Sequence, residues 1–170
     1  MVRAGITCCA FLLLAAWAGA QGPPLTVDVQ LRLLRENRTL LNDLVNQGVA
    51  LSASDDLVTR TEKCEDTVRT LGAAIKRAAE AQNADRVVEL GDHLNVVVTE
   101  ALIPNLEEGR RMIHPDSPEA VKLEAVRVRA KSNLGDLRDS LPTSGKIGES
   151  DKVKELRGKL DAIKERMTDK

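Results

Sequence analysis

The sequence predicts an all-α protein, an antiparallel bundle of four main helices plus a C-terminal amphipathic helix. Aliphatic residues recur at alternating spacings of three and four through most of the 170-residue chain. Pro, Gly, Ser and Asn fall between the periodic stretches, where helices should stop and start. No segment alternates polar and apolar residues long enough for a strand. Val96-Val97-Val98 has strand propensity but lies inside a helical period, and pattern outranks propensity.

Residues 1–20 read as a cleaved secretory leader. Arg3 is the positive start, an apolar run covers Ile6 to Trp17, and Ala18-Gly19-Ala20 is a small-x-small cleavage site. A bilayer span needs roughly 20 apolar residues, so this run is short for one. Cys8 and Cys9 come before the body of the run instead of ending it, and neither is placed to carry a lipid after cleavage. The mature chain should begin near Gln21. It then divides into a helical bundle over 21–141, a linker over 142–150 and a C-terminal amphipathic helix over 151–170.

Cleavage removes Phe11 and Trp17, the only aromatic residues in the chain. The core must therefore be built from Leu, Val, Ile and Ala. Loss of Arg3 takes the formal charge from −1 to −2, with the charges interleaved. Such a surface gives no reason to expect a nucleic-acid or anionic-membrane partner.

The first helix is expected from Val27 to Gln47, with Leu31, Leu34, Leu41, Leu44 and Val45 inward and Gly48 as its stop. Ser54 should cap the second, Asp55 to Ala81. Its inward seam is Leu57, Thr61, Cys64, Val68, Leu71, Ile75 and Ala78, spaced 4, 3, 4, 3, 4, 3. The third starts near Ala84 after Gln82-Asn83, with Val87, Leu90, Leu94, Val97 and Ala101 inward. Pro104 should kink or end it, because proline lacks an N–H and crowds the preceding turn. Leu106 to Ile113 continues as a further helical piece. Ser117 then caps a fourth helix, with Pro118 at its first position. This helix runs to about Leu141 with Leu123, Val126, Ala130, Leu134, Leu137 and Leu141 inward. The fifth, Asp151 to Met167, carries Val153, Leu156, Leu160, Ile163 and Met167 along one stripe. A docked fifth helix is favoured over a tethered one, because the linker is short. Asp56–Arg60, Glu65–Arg69, Glu107–Arg111 and Glu155–Lys159 are acids four residues before bases, a spacing that supports exposed helices.

Cys64 is the one cysteine after the leader, so no intrachain disulfide is available. Its place in the seam reads as a small buried hydrophobe. Glu62, Glu65 and Asp66 would also oppose a thiolate. An interchain disulfide and a reactive thiol are the other readings. His93 and His114 are the only histidines, and nothing flanking them suggests a Cys–His pair. Glu89 and His93, four apart on one helix face with Asp85 nearby, are the candidate metal ligands. A di-metal bundle site needs Glu-x-x-His motifs, and this spacing is one residue longer. No cofactor is expected, since C-x-x-C-H for haem is missing and Ser144-Gly145-Lys146 lacks the upstream glycine of a phosphate loop. The lack of aromatics disfavours base stacking, cation cages and sugar platforms. Arg127, Arg129 and Lys131, with Arg110-Arg111, read as a solvated face balanced by Glu119 and Glu124. Asn37-Arg38-Thr39 is a glycosylation sequon, relevant only on a eukaryotic secretory route, whereas the chain reads as bacterial.

The stretch SDDLVTRTEKCEDTVRTLGAAIKRAAEAQNADRVVELGDHLNVVVTEALIPNLEEGRR resembles a group of functionally uncharacterised, exported helical-bundle proteins of bacteria. The likeness spans residues 40–141, rests on helical composition and spacing, and implies no activity. The expectation is therefore an exported, non-enzymatic bundle, periplasmic or secreted, acting on a protein partner and capable of homo-oligomerisation. A metal-responsive or metal-buffering bundle using Glu89 and His93 is the alternative.

Overall fold

The computed structural model describes residues 26–168, and all regular secondary structure among them is helical. The leader expected over 1–20 lies outside the described residues. The chain divides into two compact units, Met1–Arg38 and Thr39–Lys170. The helices are α1 (Val27–Ser52), α2 (Leu57–Glu80), α3 (Ala84–Val97), a π-helical turn (Val98–Leu102), α4 (Ile103–Met112), α5 (Pro118–Ser140), α6 (Gly145–Gly148) and α7 (Asp151–Arg166). In the first unit only the opening turns of α1 are described.

Within the second unit, α2 packs on α3, on the π turn, on α4 and on α5, while α7 packs on α3 and α5. One aliphatic core runs through these contacts, from Val68, Leu71 and Ile75 of α2 to Leu156, Leu160 and Ile163 of α7. Leu123, Val126, Ala130, Leu134, Leu137 and Leu141 are all buried, as the spacing on the fourth helix predicts. So are Val153, Leu156, Leu160, Ile163 and Met167, which makes α7 an integral wall of the core.

The ends of α1 and α2 differ from expectation. Helix α1 runs through Gly48 to Ser52, with Leu51 packed against the core. The Ser54 hydroxyl donates back to the Ala50 carbonyl at 2.8 Å, so it does not cap α2. Asp56 does: its carboxylate accepts from the Thr59 N–H at 2.7 Å and from the Thr59 hydroxyl at 2.6 Å. Those bonds hold the Asp56 carboxyl below its usual pKa.

The buried face of α2 is wider than a single seam. Val58, Glu65, Gly72 and Ala79, each seven residues after the last, are buried beside the expected row. A helix flanked by neighbours on two sides needs that second row. It puts Glu65 inside, where it accepts from Asn133 Nδ2 of α5 at 2.7 Å and lies 3.9 Å from Arg129. The expected Glu65–Arg69 pair does not form; Arg69 binds Asp66 at 2.6 Å. Glu107–Arg111 and Glu155–Lys159 are present at 3.9 and 3.1 Å. Arg127, expected on a solvated face, is 8% exposed. Its guanidinium donates to the Glu124 carboxylate, with Nε to Oε2 at 2.8 Å, and to the Met167 carbonyl at the end of α7.

The α2–α3 junction is a tight helix stop. Gln82 N–H donates to the Ala79 carbonyl and Asn83 N–H to the Ala78 carbonyl, both at 3.0 Å. This paired pattern needs a left-handed residue between them, usually glycine. Gln82 fills that place with φ 56°. Gln82→Gly is expected to stabilise the fold by roughly 0.5–1 kcal/mol, after allowance for the looser unfolded chain. A thermal melt no higher than wild type would contradict this.

Pro104 neither ends the helix nor acts alone. The turn before it widens to π geometry, and Ile103 N–H reaches the Val98 carbonyl. The wider turn accommodates a residue that cannot donate to the preceding turn. Val98 and Leu102 are fully buried, while Val97 and Ala101, expected inward, are only partly buried.

The segment 142–150, expected as a linker, holds the helical turn α6. Ile147 is fully buried there. Gly145 takes φ +74°, and a Cβ on Gly148 would lie 2.3 Å from the Thr143 carbonyl carbon. The corner is thus packed backbone to backbone.

Candidate functional site

Cys64 faces inward from the middle of α2 and is 1% exposed. Asn105 of α4 donates Nδ2–H to its Sγ at 3.5 Å. Burial pushes the thiol pKa up; the Asn105 bond and the charge of Arg60 offset this only in part. Burial, and not the neighbouring acids, is the dominant cause. A raised thiol pKa favours the protonated, folded form. Its contribution to stability is full below the ordinary thiol range, about 8.5, and is lost as pH rises above it. Cys64 is expected to label slowly with a thiol reagent when folded and rapidly in denaturant. Cys64→Ala should flatten the loss of thermal stability in mild alkali. Equal labelling rates in the two states would refute the buried assignment.

Glu89 and His93 are exposed on α3, as is Asp85 in its first turn. The Glu89 carboxylate accepts from Arg86 Nη1 at 2.7 Å. Among the described residues, no group of three or more His, Cys, Asp or Glu is placed to hold a metal ion. His114 lies in the loop before α5, where its Nδ1 accepts from the Asp116 N–H at 3.3 Å. No described contact joins it to Cys64.

The feature that sequence reasoning missed is on α1. In the second unit its inner face is Leu40, 7% exposed, with Leu44 and Leu51 packed on the core. Gln47 Nε2 on this face donates to the Thr70 hydroxyl of α2 at 2.8 Å. Leu41, Val45 and Val49 point the other way and are 61, 62 and 61% exposed. In the first unit Val27, Leu31 and Leu34 are exposed as well. Six of the ten large exposed apolar side chains of the described residues therefore lie on one helix. Leu31, Leu34, Leu41 and Val45, expected inward, are corrected to outward. Both rows of this helix have helical spacing, and only the second unit shows which one the core takes. The signal available in the sequence was the 4-3-4 run Leu40, Leu44, Gln47, Leu51.

Leu41, Val45 and Val49 follow at spacings of four and so share one exposed face of α1. Asp43 is the only charge on α1 between Thr39 and Ser52, so little on that stretch opposes burial against another apolar face. No helix among the described residues is long and apolar enough to cross a membrane. No protein-family model, curated protein or solved structure matches this chain.

Proposed function

We propose that this chain is an exported, non-enzymatic helical-bundle protein that works through protein–protein contacts. It would serve in a bacterial envelope as a scaffold, a chaperone-like binder or the sensing partner of a regulator. The proposed body is an antiparallel bundle of α2, α3 with α4, α5 and α7, and the second half of α1 presents the contact face. The observation that carries this reading is the exposed row Leu41, Val45 and Val49 opposite the core-facing row of the same helix. A water-facing aliphatic row costs solubility unless something covers it. The buried, protonated thiol of Cys64 fits a structural role for that residue. Glu89, the carboxylate of the metal-responsive alternative, lies exposed beside Arg86.

The test is affinity capture from envelope extract at near-native levels, with the α1-face variants described in the Discussion as controls. Recovery of no protein that depends on this face would reject the proposal.

A further inference from the structure

Gly48 lies inside α1, a turn before its end, exposed and with nothing within 4 Å of where a Cβ would stand. Glycine weakens a helix interior, and no neighbour in this chain uses the room it leaves. A helix turns by about 100° per residue, so Leu41 and Gly48 lie to one side of the Val45 line, by about 40° and 60°, and Val49 lies about 40° to the other. Leu41 and Val49 each stand four residues from Val45. The exposed row therefore reads alike in either direction, and a two-fold contact between identical chains needs such a self-complementary surface. Asp43, the only charge from Thr39 to Ser52, projects about 160° away from Val45. The row thus offers nothing to a charged partner, and two copies of it bring no like charges together.

We propose that a second copy of this chain covers the row, with two α1 helices packed antiparallel across a two-fold axis at Val45. The proposal rests on the contact reading above and names the partner. In antiparallel pairing the same flanks of two helices face each other, so Leu41 of one copy comes opposite Gly48 of the other. The missing side chain there forms the seat for Leu41, as a ridge of one helix enters a groove of the next. A parallel pair would set Leu41 beside its own counterpart and leave the room at Gly48 empty. The row spans only about two and a half turns, which places the contact among small, weak interfaces with an expected dissociation constant of about 100 µM.

The test is sedimentation of the purified protein up to about 1 mM, where a concentration-dependent dimer is expected. The Leu41→Glu, Val45→Glu double variant should stay monomeric throughout. Gly48→Leu is the sharper variant. It adds an apolar side chain where nothing in the chain stands in its way, so the fold is kept. By filling the seat of Leu41 it should weaken the dimer at least about tenfold, whereas a row that is merely apolar would associate more tightly. Disulfide trapping reads the direction. Val45→Cys, on the axis, should cross-link to its own copy on oxidation. Leu41→Cys should not, because its counterpart lies about 12 Å away along the helix. Cys64 is buried and does not compete. A monomer at about 1 mM would overturn the inference. So would a dimer unchanged or tightened by Gly48→Leu, or Leu41→Cys cross-linking as readily as Val45→Cys. Face-dependent capture of a different protein by a chain that stays monomeric would also overturn it, while leaving the contact reading in place.

Discussion

Replacing Leu41 and Val45 together with glutamate is expected to lower partner capture about a hundredfold or more while leaving the melt of the free protein near that of wild type. Both side chains are more than 60% exposed, so the substitutions remove no core contact. Glutamate is a better helix former than valine, which offsets the repulsion between two carboxylates four residues apart. In a complex that buries this row, two carboxylates would lose water without gaining partners, at a cost of several kcal/mol. A hundredfold loss needs only about 2.7 kcal/mol of that. Val121→Glu and Val128→Glu, at exposed α5 positions, are the matched controls and should leave capture intact. Undiminished capture by the α1 double variant would remove the basis of the contact reading.

Gly148→Ala is expected to be the most damaging glycine-to-alanine change among the described residues. The added Cβ would lie 2.3 Å from the Thr143 carbonyl carbon and 2.9 Å from its Cα and carbonyl oxygen. Backbone cannot step aside as a side chain can, so the α5–α7 corner must reopen. Overpacking of this kind costs about 1–3 kcal/mol, and for a protein of this size each kcal/mol lowers Tm by about 2–4 °C. Ile147 is fully buried in the same turn, so reopening the corner would also disturb the seat of α7. Gly91→Ala is the instructive comparison. There the added Cβ would meet both Leu156 methyls, at 2.5 and 2.6 Å, a side chain that can shift where backbone cannot. A Gly148→Ala melt equal to wild type would show that the corner is not closely packed in solution.

The helices and most of the inner rows were legible in the sequence, because each depends on local periodicity. Helix α5 illustrates this: every residue expected inward is buried, and Ser117 caps it through the Ala120 N–H at 3.1 Å. Positions with two helical alternatives were not legible. Helix α1 carries two aliphatic rows, and periodicity cannot choose between them. After Leu94 a helical row can continue three or four residues on, and the packing took Val98 and Leu102 over Val97 and Ala101. Glu65 and Arg127 were read as surface charges because their type favours water. Their burial depends on partners 68 and 40 residues away.

The amino-acid order alone determined an aliphatic, aromatic-poor, all-helical protein with its thiol inside, because spacings of three and four fix which side chains share a helix face. Tertiary packing alone decided that α7 walls the core and that one row of α1 stays in water. Those outcomes turn on which faces meet, and distant segments settle that by competing to cover the same apolar surface.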